Sequence, residues 1–341
     1  MPFSSNDLPA IVKQLEVMAT FDQVKDLFRQ RQVVFSAPNW ETFVGERLYP
    51  AVEKGTITAD HLGNLLAQAE EHGSQHVMLY RAPKSRAVAS VNDAKVRQGI
   101  KHSGFGDILD APRVLDGADQ PTWIEARVEL TPNAQPKALV VKQVATREHL
   151  ERLDEKREGT RMRVEYDIQK RRAINLVKLH VDGLVEVRIQ THQRPNYFHE
   201  AGQLLLQLNH LLPVGEIKPA PITTARNNLF EKRRSLASSV RYTNSTLKNS
   251  RGNTIVAAAG AGEDGDLFSD KGMTSSLDQF VAHEGYCDAS NVWFKVGQKP
   301  NGDPKWVHVL LSGKDNEFAL TSQCSMKEYE YVLSELRAHN R

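Results

Sequence analysis

Seven cations fall within the stretch ARNNLFEKRRSLASSVRYTNSTLKNSRGNT, Ala225 to Thr254: Arg226, Lys232, Arg233, Arg234, Arg241, Lys248 and Arg251, against the single acid Glu231. They alternate with side chains that donate and accept hydrogen bonds, among them Asn227, Asn228, Ser235, Ser238, Tyr242, Thr243 and Asn249. Such a mixture has the chemistry of phosphate recognition: cations attract a polyanion, and hydroxyl and amide groups fix its position. Lys170, Arg171 and Arg172 form a second basic run, at what reads as a turn between two strands. Arg161 and Arg163 lie on the polar side of the strand before it. The expected nucleic-acid-binding residues are therefore Lys170, Arg171, Arg172, Arg226, Lys232, Arg233, Arg234, Arg241, Lys248 and Arg251. The competing expectation is a basic loop docked on acidic parts of the same chain.

Other chemistries have weaker support. "SGFGD", "GAG" and "LSGKD" are glycine-rich, but none has the spacing of a phosphate loop between a strand and a helix. His283 is followed by Glu284 and Gly285, with no second histidine four residues on, and His199 and His210 are eleven residues apart, so neither pattern makes a metal site. Cys287, close in sequence to His283, Glu284 and Asp288, is the one nucleophile candidate, and it carries no family signature. Asp264 and Asp266 lie in a glycine-rich loop, a poor scaffold for paired carboxylates. No cofactor is expected, and the balance leans away from an enzyme.

The chain has 341 residues, 40% hydrophobic and 25% charged, with a formal net charge of +2. That size predicts more than one domain. No stretch approaches the ~20 apolar residues that span a bilayer, and two cysteines build no disulfide framework. A cytoplasmic protein is expected, nuclear if the source is eukaryotic. The near-neutral total hides an asymmetry: residues 217–262 hold eight basic residues and one acid, whereas 1–75 and 263–341 are both net acidic. Such a pattern marks either a polyanion-binding face or an internal electrostatic clasp.

The elements that would position these residues read as an α+β chain in four parts. Residues 1–75 form a helical bundle, with caps at Thr20, Asn39 and Thr58 before apolar residues at helical spacing. Residues 76–216 form an antiparallel sheet with helices. Its strands are "HVMLYRA", "TWIEARVEL", "KALVVKQV", 161–169, "INLVKLHV" and "LVEVRIQT", the last two joined by Asp182-Gly183, a tight-hairpin signature. The segment 87–121 reads as loop with one helix near 92–101, and 146–159 as a charged surface helix anchored by Leu150 and Leu153. Asn196 caps a helix running to Leu212. Residues 217–272 read as a basic connector and a mobile acidic, glycine-rich loop. Residues 273–341 form a three-stranded meander, turned first at Asn301-Gly302, and a closing amphipathic helix.

The helical segment containing "LFRQRQ", followed by "TITADHLGNLLAQAEEHGSQHVMLY" and then by "TWIEARVEL" and "KALVVKQV", resembles the centromere protein N family in order of elements over roughly residues 8–145. The resemblance implies a pyrin-like helical domain before a curved sheet domain, and DNA binding in the groove between them. None of that family's basic contact residues is carried over to a position here, and the acidic balance of 1–75 departs from the family.

The expected function is thus non-enzymatic nucleic-acid binding, largely independent of sequence, or an adaptor role. The alternatives are recognition of an anionic lipid surface or a protein partner through the same cations, and a hydrolase built on Cys287 and His283.

Overall fold

The computed structural model describes residues 3–106, 108–109, 112–192, 196–259, 265–299, 302–311 and 314–341. The glycine-rich segment 260–264 with Asp264, Asp107 of "SGFGD", Ser312-Gly313 of "LSGKD" and Asn301 of the expected meander turn lie outside the described residues. The fold is α+β, with antiparallel strands and packed helices. The strands are β1 (Gly73–Arg81), β2 (Thr122–Leu130), β3 (Pro136–Glu158), β4 (Arg161–His180), β5 (Leu184–Gln190), β6 (Lys218–Pro219), β7 (Val240–Asn249), β8 (Thr254–Ala258), β9 (Gly285–Gln298), β10 (Pro304–Leu311) and β11 (Glu317–Gln323).

The chain divides into two compact units, Met1–Glu71 with Ala82–Ile217 and His72–Arg81 with Lys218–Arg341. The reason is strand pairing. β1 lies next to the helical bundle in sequence but pairs with β11, near the other end of the chain.

In the first unit, the bundle comprises the helices Leu8–Met18, Phe21–Gln30, Trp40–Phe43 continuing through Val44–Leu48 to Tyr49–Glu53, and Ala59–Glu71. Their starts follow local chemistry. Thr20 and Gln23 form a capping box, and the Asn39 side chain accepts from Thr42 N. Ile11, Leu15, Val24, Phe28, Phe43, Leu48, Ile57 and Leu62 are fully buried between them, removing the large apolar side chains from water. Among the described residues, the segment 87–121 holds the helix Asp93–Ser103 and also the end of another, Lys84–Ser90.

The sheet of this unit runs β2-β3-β4-β5. The β4–β5 hairpin turns at Gly183, whose φ of +91° and approach to Ala82 O, 2.4 Å from where a Cβ would stand, both exclude a larger residue. The largest departure from expectation is 146–159. It is strand, not helix: β3 continues to Glu158 and pairs with β4 as far as Glu158 opposite Arg161. As a helix this segment would have only Leu150 and Leu153 to hold it. As a strand it gains a full ladder with a β-rich partner, and Gly159, at φ +61°, makes the turn. Leu153 is the extra residue of a bulge between Arg152 and Asp154. β4 is likewise continuous, so Lys170, Arg171 and Arg172 lie within a strand and not at a turn. Asn196 caps its helix as expected, but the helix ends at Gln207 and turns follow to Leu212.

In the second unit the strand order is β1-β11-β10-β9-β7-β8, with β6 on β1. The expected connector 217–272 is largely structured: it supplies β6, the helix Thr223–Glu231, β7 and β8. Along β9 and β10 burial alternates residue by residue. Val292, Phe294, Val307, Val309 and Leu311 are buried; Asn291, Trp293, Trp306, His308 and Leu310 are half-buried. The helices Thr223–Glu231, Lys271–Ala282 and Met326–His339 belong to the buried side: Phe230 and Phe268 pack on Tyr242, and Tyr329 on Phe318. Asp270 caps the second of these helices, and a Ser325–Glu328 capping box starts the third.

Candidate nucleic-acid interface

Period-two alternation sends Arg241, Trp293, Trp306 and His308 to the sheet face that points away from these helices. The register aligns them in rows. Arg241 on β7 faces Trp293 on β9, Trp293 faces His308 on β10, and Lys295 faces Trp306. The Trp293 and His308 rings stack, with centroids 4.5 Å apart and an interplanar angle of 20°. Arg241 extends across β9, so that its guanidinium carbon lies 4.2 Å from the centre of the Trp306 ring. His308 Nδ1 and the hydroxyl of Thr321 on β11 are 2.9 Å apart, which extends the row to a fourth strand. Burial lowers the pKa of His308, so its ring is neutral near pH 7 and stacks as an uncharged plane. Trp293 Nε1 and His308 Nε2 are buried and meet no hydrogen-bond partner among the described residues. Lys295 is exposed beside them. The result is a stacked surface of two indoles, an imidazole and a guanidinium, with an exposed ammonium at its border.

Most of the cations expected to bind phosphate are occupied elsewhere. Arg226 is buried and donates from Nε to Cys287 O at 3.1 Å. Arg233 is buried, lies over the rings of Phe230 and Phe268 at 4.6 and 4.9 Å, donates to Phe230 O and pairs with Asp278. Arg234 is exposed but shares that same carboxylate. Lys248 pairs with Asp288 at 2.8 Å. The expected internal clasp thus exists in part: Asp278 and Asp288 both belong to the acidic C-terminal block. Lys232 and Arg251 are exposed, and Arg241 alone joins the stacking surface. In the first unit, Lys170 and Arg171 are exposed on β4, Arg171 donating to Gln169, whereas the Arg172 side chain is buried. The ten residues do not form one patch within either unit.

Arg172 instead belongs to an ionic layer between the helix Ala59–Glu71 and the sheet of the first unit. Its Nη1 lies 2.5 Å from Glu70 Oε1, at an angle that is not a hydrogen bond, and its Nε donates to Leu115 O at 2.6 Å. Lys142, 1% exposed, sits 3.1, 3.0 and 2.9 Å from carboxylate oxygens of Glu70, Glu71 and Glu125. Arg127 bridges Glu71, Glu125 and Glu129; Lys178 pairs with Glu129; and Arg188 pairs with Glu186 and donates to Glu71 O. Burial alone would lower the pKa of Lys142. The surrounding glutamates outweigh it and hold the ammonium well above the usual lysine range. Each buried charge faces an opposite one, so this layer is structural: it fixes one helix on one sheet.

Two sequence signals could have located these features. Trp293, Lys295, Trp306 and His308 stand on the polar phase of otherwise apolar strands, where aromatics are out of place unless used. Glu125, Arg127 and Glu129, like Lys142 and Lys178, put charges at sheet period among buried residues.

The Cys287 thiol is 1% exposed, and burial pushes it up to about 11, opposite to what a nucleophile requires. His283 is exposed. Among the described residues, no group of three or more His, Cys, Asp or Glu is arranged to hold a metal ion, and no helix is long and apolar enough to cross a membrane. Compared with known proteins, the chain matches no family model and no curated protein at a significant level.

Proposed function

We propose that this protein binds single-stranded nucleic acid on the face of the second unit that carries Arg241, Trp293, Trp306 and His308. One observation carries the reading: two stacked pairs, Arg241 on Trp306 and Trp293 on His308, lie side by side on the sheet face away from the helices. Unpaired bases stack on aromatic rings and guanidinium planes alike, at about 1–3 kcal/mol per base, and every base has such a face, so binding tolerates sequence. Lys295, exposed at the border, supplies attraction to phosphate. Stacked duplex bases offer no free planes, so single strands are favoured. The resemblance to the centromere protein N family points to a nucleic acid as well, though to a duplex in a groove.

Fluorescence anisotropy with a labelled oligothymidylate, the matching duplex and anionic vesicles as competitor tests the proposal. Single strand is expected to bind tighter than duplex. Because few cations border this surface among the described residues, log affinity should fall with log salt at a slope of only about −2, or roughly −0.7 per phosphate neutralised. Arg241→Ala and Trp306→Ala are each expected to weaken binding by about tenfold, and Arg251→Ala by much less. Equal affinity for duplex, displacement by vesicles alone, or indifference to Arg241→Ala would reject it.

A further inference from the structure

The ribbon formed by the distal parts of β3 and β4 has no function in the reading above, and its chemistry is unusual. β2 stops pairing with β3 at Val144, and β5 pairs with β4 only over Asn175–Leu179. Beyond these limits, β3 and β4 continue as two strands alone to the turn at Gly159. Among the described residues, no strand pairs with the outer edge of β4 over 161–172. Met162, Tyr166 and Ile168 on that strand are 64, 50 and 58% exposed, and share one face with Val164. An open edge beside an exposed apolar row is a surface that pairs with another strand.

On the opposite face of the ribbon Glu158 faces Arg161, and Lys156 meets Asp154 along β3 at 3.2 Å, but the other three facing pairs over 161–167 are alike in charge. Lys156 stands across from Arg163, Asp154 from Glu165 and Glu151 from Asp167, each a like-charge pair. Like charges directly opposite each other destabilise a sheet. A neighbouring strand of opposite charge order would relieve them. β4 itself has that order: Arg161-Met162-Arg163-Val164-Glu165-Tyr166-Asp167 reverses its charge sign about Val164.

We propose that two copies of this chain form a two-fold dimer in which the outer edges of β4 pair antiparallel, with Val164 on the axis. In this register Arg163 faces Glu165 of the second copy, Arg161 faces Asp167, and Met162 faces Tyr166. The two ribbons become one four-stranded sheet with a continuous apolar face. Other registers are selected against. Moving the axis by one residue sets Arg163 or Glu165 against itself, and moving it by two sets Arg161 against Arg163 or Glu165 against Asp167. The interface is isologous, as closed two-fold assemblies require.

Sedimentation velocity of the full chain tests the pairing. The wild type is expected to be a dimer that dissociates on dilution. Arg163→Glu and Glu165→Arg each put like charges across the axis, and each should raise the dimer dissociation constant by about tenfold or more. Both substitutions turn a like-charge pair inside the ribbon into an attractive one, with Lys156 and with Asp154, so neither is expected to unfold the chain. An equimolar mixture of the two variants is fully complementary and should recover the dimer. A monomeric wild type would overturn the proposal, as would variants that dimerise as tightly as wild type, or a mixture that fails to recover.

Discussion

Arg241 and Trp306 meet across an intervening strand: the guanidinium crosses β9 and rests 4.2 Å from the indole centre. A half-exposed contact of this kind contributes about 0.5–1 kcal/mol. Loss of this contact in Arg241→Leu is expected to lower stability by about 1 kcal/mol while removing much of the single-strand affinity. Comparing the denaturant midpoint with the anisotropy titration separates the two effects. Equal losses in both would mean that the residue serves only the fold.

Arg233 and Arg234 are neighbours with opposite roles. Arg233 is buried between aromatic rings and Asp278; Arg234 is 72% exposed and shares that carboxylate from outside. Arg233→Glu buries a carboxylate against a carboxylate and should cost about 3–5 kcal/mol. Arg234→Glu should cost about 1 kcal/mol or less. Urea unfolding of the two variants would distinguish them, and similar midpoints would contradict the assignment.

Lys142 is shared by three buried glutamates. Lys142→Ala leaves them with Arg127 and Arg172 as counter-charges, fewer cations than carboxylates, and is expected to destabilise the first unit by about 3–5 kcal/mol. Hydrogen exchange of β2 and β3 amides would report the loss locally. Unchanged protection there would show that the layer is not under the helix Ala59–Glu71.

Acid should weaken the same unit. Glu125, Glu129 and Glu186 face burial, which raises a carboxyl pKa, but Lys142, Lys178 and Arg188 outweigh it and hold all three below the usual 4.5. A depressed folded pKa gives stability that is complete above 4.5 and is lost as pH falls through the folded values. Lys142 acts in the other direction, its share complete below 10.5 and lost only as pH rises through its raised value. Denaturant midpoints should thus be level near neutrality and fall below about pH 4. A midpoint that rose in acid would contradict this.

Cys287 should be inert. With its thiol buried and pushed up to about 11, almost none is thiolate near neutrality. Alkylation by iodoacetamide is expected only after unfolding. Rapid labelling of the native chain at this position would reopen the hydrolase reading.

Much of the architecture was legible because its signals are local. Capping residues Thr20, Asn39 and Asn196 each start the helix that they predict. Asp182-Gly183 makes its hairpin, and the alternation of Trp293, Lys295, Trp306 and His308 with buried residues sets the strands of the tail. The segment 146–159 departs from its helical pattern because helix propensity is also local, and here a partner strand overrides it.

What the sequence determined by itself was period, caps and turns, since these depend on a few neighbouring residues and on backbone sterics. The tertiary structure decided what each charge does. Arg233 meets Asp278, Lys142 meets Glu70, Arg172 meets Leu115 and Arg241 meets Trp306, each across more than forty residues of chain. A cation's partner depends on which strands and helices pack together, and that choice is made by burial of the apolar faces over the whole unit, not by the residues beside the cation.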